Sequence, residues 1–95
     1  DIESIIIKHP NIKEVAVFGV DHERWGETPI AAVIYKSKPY PEKEELKVWI
    51  NNHIDARFQK VNDVLFLEDF PRNVAGKTIK RTIKEMYLSQ KTTHE

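Results

Sequence analysis

Three short runs of β-type apolar residues, separated by segments with helical periodicity, limit this chain to a small mixed fold. The runs cover residues 15–20, 30–35 and 64–67 of the 95 in the chain. The first run is continuous, which is typical of a central strand covered on both faces. The segment between the first two runs, residues 21–27, is polar and contains the turn residue Gly26, so we expect these two strands to pair.

The remaining segments carry the three- to four-residue spacing of amphipathic helices. A first helix is predicted over residues 2–9, with Pro10 as its stop. A second helix is predicted to have Pro41 at its first helical position and an apolar stripe that runs to Arg57. A third is predicted from Thr78 to Ser89. The order α-β-β-α-β-α, with short connections, predicts an α+β domain with a roughly three-stranded sheet packed by about three helices.

Composition narrows the classes of function. Basic and acidic residues number 15 each, which argues against a general binder of nucleic acids or anionic membranes. The chain contains no cysteine, so disulfides and thiolate metal sites are excluded, and we expect a cytoplasmic protein. No apolar run approaches the roughly 20 residues of a membrane span. The histidines lack metal-ligand spacing, and the sequence therefore predicts no metal site.

The chain begins inside an amphipathic pattern, and we expect it to be part of a longer protein. Residues 1–89 are predicted to form the domain and residues 90–95 a polar tail.

Charge is unevenly distributed along the chain. Residues 1–55 carry 7 basic and 10 acidic side chains, whereas residues 56–95 carry 8 basic and 5 acidic ones. The basic excess therefore lies in the part of the chain that follows the second helix, as an anion site requires.

A turn-rich loop, Pro71 to Thr78, contains the strongest candidate for chemistry. Gly76 can adopt a positive φ, so the backbone can turn sharply and expose the ammonium group of Lys77. A phosphate-binding P-loop has the same Gly-Lys pair, but it requires a glycine where this chain has Pro71, which has no N–H to offer. An ordinary strand-to-helix turn with a solvated lysine is the simplest alternative. Three neighbouring cations are expected to add positive potential: Arg72, Lys80 and Arg81.

The pattern Pro71-x-x-x-x-Gly76-Lys77 resembles the closing motif of the adenylate-forming enzymes, a superfamily that includes acyl-CoA synthetases, peptide-synthetase adenylation domains and luciferases. The resemblance extends over nearly the whole chain, with its motifs in the right order and at the right spacing. The further matching segments are residues 2–10, 15–20, 21–29, 44–47 and 66–67. The resemblance implies the small carboxy-terminal domain of such an enzyme, which forms a lid over a large amino-terminal domain.

By this resemblance, Lys77 is the catalytic lysine of adenylate formation, and Pro71 and Gly76 position its loop. In that reaction a carboxylate attacks the α-phosphate of ATP, so both reactants are anionic. A flexible ammonium can contact both, and it offsets the negative charge that grows in the transition state. ATP and CoA are then substrates of the parent enzyme, and Mg²⁺ is expected in that enzyme but not bound by this domain.

The resemblance also implies a CoA-binding face, with Trp25, Phe58 and Lys60 near the nucleotide end of CoA. Aromatic faces stack on adenine, and a lysine can hold its phosphates. Gly26 and Glu27 are expected to support the site or the hairpin loop. Each of these residues also has an ordinary structural role open to it, such as covering the sheet edge, packing in the core or remaining solvated.

Two classes of function remain open from the sequence. The first is the mobile lid domain of an ATP-dependent acid–thiol ligase of the acyl-CoA synthetase type, with a place in fatty acid metabolism. Its partners are the large amino-terminal domain of the same enzyme and a small-molecule carboxylic acid. The alternative is a non-catalytic binding module of the same fold that docks a partner or a nucleotide. We expect the chain alone to fold but not to catalyse.

Overall fold

The computed structural model describes residues 1–92, and within them the chain forms three helices and a three-stranded sheet. The α+β class and the order α-β-β-α-β-α are therefore confirmed. The elements are α1 (Ile2–Ile6), β1 (Ile12–His22), β2 (Gly26–Tyr35), α2 (Lys43–His53), β3 (Asp63–Phe66) and α3 (Lys80–Thr92).

The central strand of the sheet is β2. The strand order is β1-β2-β3, with β1 antiparallel and β3 parallel to β2, so the prediction that the first strand is central was wrong. Every residue from Ile30 to Tyr35 is buried, whereas β1 alternates between buried and half-buried residues from Val15 to Val20. Both strands are continuously apolar along these stretches, and that pattern alone does not reveal which strand has neighbours on both sides.

Helices cover both faces of the sheet and create two hydrophobic clusters. On one face, α1 and α2 pack against Ala31 and Val33 of the central strand. On the other face, α3 packs Ile83 and Tyr87 against the alternate residues of the sheet, including Ile30. The period-two alternation of side chains along β2 separates the two sets and explains why its residues 30–35 are all buried.

Two predicted helix boundaries differ from the observed ones for local reasons. The helix α1 ends at Ile6 rather than at His9, because a residue that precedes a proline, as His9 does, disfavours the α conformation. The chain after Ile6 forms a tighter turn, in which the N–H of His9 bonds to the carbonyl of Ile6, three residues back. Helix α2 is capped by Glu42. Pro41 therefore lies before the cap and not at the first helical position, and Arg57 lies beyond the helix.

The third helix begins at Lys80, two residues later than predicted. Thr78 is paired with Arg72, and the N–H of Ile79 bonds to the carbonyl of Pro71, so these residues close the preceding loop instead of starting the helix. Helix α3 runs to Thr92 and so includes the start of the predicted polar tail. The rest of that tail, residues 93–95, lies outside the described residues.

A buried carboxylate ties β3 to the two long helices. Asp63 accepts hydrogen bonds from the Tyr87 hydroxyl and the Val64 N–H, both at 2.8 Å. It also forms ion pairs with Lys43 at 3.1 Å and Lys91 at 3.6 Å. Burial alone would raise the pKa of Asp63, but these hydrogen bonds and the Lys43 charge outweigh burial and lower it. Burial and the same carboxylate raise the pKa of Tyr87.

The two loops of functional interest lie toward opposite ends of β1. The hairpin turn between His22 and Gly26 closes one end, and Gly26 adopts a φ of 79° there. The loop that contains Lys77 is anchored near the other end, at Glu14. From Glu14 to Asp21 a strand of this kind rises roughly 23 Å.

Candidate functional site

The loop of residues 71–78, called the lysine loop below, is a small hairpin at the surface. Arg72 and Thr78 pair as an antiparallel bridge at its base. Near its tip the N–H of Asn73 donates to the carbonyl of Lys77, and the N–H of Gly76 donates to the carbonyl of Asn73, both at 2.9 Å. Gly76 has a φ of 84°, a left-handed conformation that disfavours residues with a Cβ. The predicted sharp turn is thus present at Gly76.

Arg72 anchors the lysine loop to the sheet. Its guanidinium donates to the Glu14 carboxylate at 2.7 Å, to Asp69 at 3.1 Å and to the Thr78 hydroxyl at 3.3 Å. The hydrogen bonds to Glu14 and Asp69 raise the pKa of Arg72, and the bond from Arg72 lowers the pKa of Asp69. Arg72 therefore acts as a structural clamp between β1 and the base of the loop.

Lys80 is also paired, so the positive potential predicted around the loop is largely offset. Its ammonium lies 2.6 Å from the Glu3 carboxylate, which also accepts the backbone N–H of Val17 at 2.7 Å. Burial acts to raise the pKa of Glu3, but the hydrogen bonds from Lys80 and Val17 outweigh it and lower the pKa. Arg81 lies exposed on α3.

Lys77 is the cation of the lysine loop whose side chain has no partner among residues 1–92. Its backbone N–H donates to the side-chain oxygen of Asn73 at 3.0 Å, and its carbonyl accepts the N–H of Asn73. The side chain is exposed to solvent. The backbone is thus held at both polar atoms while the ammonium is free to meet an anion outside this domain.

Trp25 lies at the opposite end of β1, on the hairpin turn, with its side chain 58% exposed. The guanidinium carbon of Arg24 lies 4.9 Å from the centre of the Trp25 ring, and the ring of His22 stacks nearby at 6.2 Å. The His22 ring nitrogen accepts the N–H of Arg24 at 3.1 Å, which fixes the turn. The turn presents an aromatic surface beside a cation.

Glu27 has a structural contact with β1. A Cβ placed on Gly19 would overlap the Glu27 side chain, so this side chain lies against the Gly19 backbone, although Glu27 itself pairs with Asp21. Because Gly19 has no side chain, the side chain of Glu27 can pack against its backbone. The role expected of Glu27, in supporting the site or the hairpin loop, stays a prediction.

Phe58 and Lys60 lie in the connection between α2 and β3. Phe58 is partly exposed and borders a shallow cavity of about 320 Å³ together with Ile2, Val17 and Lys80. Lys60 donates to the carbonyl of Asn51 near the end of α2 at 2.8 Å. The connection itself is held by further hydrogen bonds.

Those bonds come from the side chain of Asn51. Its oxygen accepts the N–H of Val61 at 2.8 Å and its nitrogen donates to the Val61 carbonyl at 3.0 Å. Val61 is buried in the cluster beneath α2. The segment that carries Phe58 and Lys60 is therefore fastened to the domain at its far end.

The predicted residues form two separate groups. Pro71, Gly76 and Lys77 share one loop, whereas Trp25 and Glu27 lie at the other end of β1. The segment that carries Phe58 lies between these groups, because Phe58 borders a cavity with Lys80 while Gln59 borders a surface depression with Gly19 and Glu27.

Sequence reasoning missed Asn73 and the partner of Arg72. An asparagine within a turn is a known signal for a side chain that bonds to nearby backbone N–H groups, and that signal could have identified Asn73. Glu14 carries no such signal, because it meets Arg72 only through the fold.

Two further properties concern residues 1–92 as a whole. Among them, no group of three or more histidine and acidic side chains is arranged to hold a metal ion. None of their helices has both the length and the apolar character needed to cross a membrane.

Comparison with known proteins gives consistent matches. Residues 1–77 match the family described as the AMP-binding enzyme C-terminal domain. The chain is 36% identical over 92 residues to a long-chain-fatty-acid–CoA ligase of Thermus thermophilus, a match that covers 92% of this chain and 16% of that ligase. It is 33% identical over 87 residues to a 3-methylmercaptopropionyl-CoA ligase of Ruegeria pomeroyi, with the same coverage of each.

A solved structure shows the same likeness in three dimensions. The fatty acyl CoA synthetase of Mycobacterium tuberculosis matches with a TM-score of 0.77 and 35% identity, over 94% of this chain and 17% of that one. The chain thus spans about a sixth of the length of the proteins it matches.

Proposed function

This chain belongs to the family of AMP-binding enzyme C-terminal domains, and from that membership we propose that it is the mobile lid domain of an ATP-dependent acid–thiol ligase. The ligase consists of this chain and a large amino-terminal domain, together called the full-length ligase below. It joins a carboxylic acid to ATP and then transfers the acyl group to the thiol of CoA. The matched CoA ligases support this class of reaction.

The observation that carries the proposal is the exposed, unpaired ammonium of Lys77 on a loop whose backbone is held firmly. Within residues 1–92 the neighbouring cations Arg72 and Lys80 are each bound to carboxylates. Lys77 is therefore the side chain of this loop that is available to an anionic substrate. A residue held at its backbone and free at its ammonium suits delivery into a site formed mostly by another domain.

In the first half-reaction, an oxygen of the substrate carboxylate attacks the α-phosphorus of ATP. The bond between this phosphorus and the bridging oxygen breaks, pyrophosphate leaves, and an acyl-adenylate forms. Lys77 contacts the carboxylate and the phosphate oxygens, which brings two anions together and offsets the charge that accumulates in the transition state. Mg²⁺, which is expected to accompany ATP in the full-length ligase, would neutralise phosphate charge from the other domain.

In the second half-reaction, the CoA sulfur attacks the acyl carbon and AMP leaves. The proposed face for CoA contains Trp25, Phe58 and Lys60. Trp25 offers an exposed ring for adenine, and Lys60 would exchange its bond to the Asn51 carbonyl for a phosphate oxygen. The cytoplasm, where ATP and CoA are both present, is the proposed location.

The distance between the two groups supports a moving lid. Glu14, which holds the base of the lysine loop through Arg72, and Asp21, next to the hairpin turn, lie roughly 23 Å apart along β1. One active site cannot use both ends in a single pose. Rotation of this domain between the half-reactions would present first the lysine loop and then the hairpin end.

The test is adenylation by the full-length ligase, measured as ATP–pyrophosphate exchange across a panel of carboxylic acids. Lys77→Ala should lower the exchange rate at least about 100-fold, since removal of one preorganised charge contact costs about that much. The same variant should keep its unfolding temperature, because the side chain has no partner within residues 1–92. Unchanged exchange by Lys77→Ala would contradict the proposal, and so would exchange catalysed by residues 1–95 alone.

A further inference from the structure

Asn73 is the centre of the hydrogen bonding in the lysine loop. Its side-chain oxygen accepts two backbone N–H groups, from Ala75 at 2.9 Å and from Lys77 at 3.0 Å. Its own backbone completes the pattern, because its N–H donates to the Lys77 carbonyl and its carbonyl accepts the Gly76 N–H. The tip of the loop is thus organised around one residue.

No other side chain within residues 1–92 is bonded to the tip of this loop. Arg72 and Thr78 fix the base, and Val74 projects fully into solvent at the tip. Without the oxygen of Asn73, the N–H groups of Ala75 and Lys77 would face water, and the backbone would gain access to other conformations. A flexible tip must be ordered again each time it enters an active site, and that ordering costs free energy.

We propose that Asn73 is the positioning residue for Lys77. This inference rests on the proposed function, in which Lys77 contacts the reacting carboxylate and phosphate. Asn73 acts through the backbone: it holds the Lys77 N–H and carbonyl so that the ammonium projects from a single loop conformation. It does not touch the substrates itself, so its contribution depends on the presence of the lysine side chain.

The experiment compares Asn73→Ala with Lys77→Ala and with the double variant in the full-length ligase. The adenylation rate is measured by ATP–pyrophosphate exchange at saturating ATP and acid. Asn73→Ala should lower this rate about 10- to 100-fold, the size of effect that a misplaced catalytic group produces. In the Lys77→Ala background, Asn73→Ala should have no further effect, because the two residues act as one unit.

Two controls separate positioning from a general loss of structure. Asn52→Ala makes the same substitution at an exposed position of α2 whose side chain has no partner within residues 1–92, and it should leave the adenylation rate unchanged. Thioester formation from a preformed acyl-adenylate and CoA does not use Lys77, so Asn73→Ala should also leave this rate unchanged.

The outcomes distinguish this inference from the function on which it rests. If Lys77→Ala itself has no effect on exchange, the proposed function fails. If Lys77→Ala abolishes exchange while Asn73→Ala leaves it unchanged, only the positioning role is overturned. An equal loss from Asn73→Ala with and without the lysine side chain would also overturn it, as would an equal loss in both half-reactions.

Discussion

The hydrogen bond from Tyr87 to the buried carboxylate of Asp63 should make a large contribution to the stability of this domain. It joins α3 to β3 across a distance of 24 residues in the chain, at 2.8 Å. Asp63 is only 8% exposed. Tyr87→Phe removes the hydroxyl and keeps the ring, so it tests this bond with little change in apolar packing.

The expected loss follows from the charge of the acceptor. Hydrogen bonds to charged groups contribute about 1.5–3 kcal/mol, more than the 0.5–1.5 kcal/mol or so of neutral ones. The remaining partners of Asp63 compensate little, because the Lys43 and Lys91 side chains are largely exposed. A loss of about 1.5 kcal/mol lowers the unfolding temperature of a domain of this size by about 6 °C or more.

The effect should depend on pH in a defined direction. The folded-state pKa of Asp63 is lowered below its unfolded value of about 3.9. Its ionised form therefore contributes stability that is fully present above about pH 3.9 and is lost as the pH falls through the folded-state pKa. The difference between wild type and Tyr87→Phe should be largest at neutral pH and should shrink as the pH falls through the folded-state pKa of Asp63.

The assay is urea unfolding of residues 1–95 at several pH values, followed by circular dichroism. Tyr40→Phe is the matched control, because Tyr40 is half exposed and its hydroxyl has no hydrogen-bond partner among residues 1–92. This control should change the unfolding free energy by less than about 0.5 kcal/mol. A similarly small effect of Tyr87→Phe at pH 7 would refute the reasoning, and so would a loss that grows as the pH falls below about 3.9.

Two further substitutions probe the two ends of the domain. Trp25→Ala in the full-length ligase should raise the KM for CoA about 5- to 150-fold, because stacking of a base on an aromatic ring contributes about 1–3 kcal/mol. The rate of pyrophosphate exchange should stay unchanged in this variant. A loss of exchange would count against a CoA-specific role for Trp25. Gly76→Ala should destabilise the domain by about 1–2 kcal/mol in urea unfolding, because Gly76 has a φ of 84°, which an alanine adopts only with strain. The added Cβ would meet no atom within 4 Å, so the cost comes from the backbone conformation alone. Gly76→Asn should recover most of that loss, since asparagine tolerates positive φ, and equal losses from both substitutions would exclude backbone strain as the cause.

The sequence alone determined the order of the elements and the family. Apolar periodicity separated strands from helices, and the spacing of several motifs, ending in Gly76-Lys77, identified the superfamily that the comparisons confirm. The sharp turn at Gly76 was predictable for the same reason: it depends on the conformational freedom of a single residue. Asn73 could have been predicted too, because it bonds only to residues within four positions of itself.

Only the tertiary structure decided which strand is central and which charges are paired. The apolar runs of β1 and β2 have similar composition, and the difference in burial comes from β3, which pairs with β2 from about 30 residues away. Arg72 and Glu14 are 58 residues apart, and Lys80 and Glu3 are separated even further. Counting charges along the chain predicted a basic surface around Lys77, whereas folding brings carboxylates from the opposite end of the sequence to two of its neighbours. Local conformational preferences depend on consecutive residues. The partners of an ionised side chain depend instead on which distant segments the fold brings together. For that reason the sequence could predict a role for Lys77, and only the structure showed that its ammonium has no partner within residues 1–92 while its neighbours Arg72 and Lys80 do.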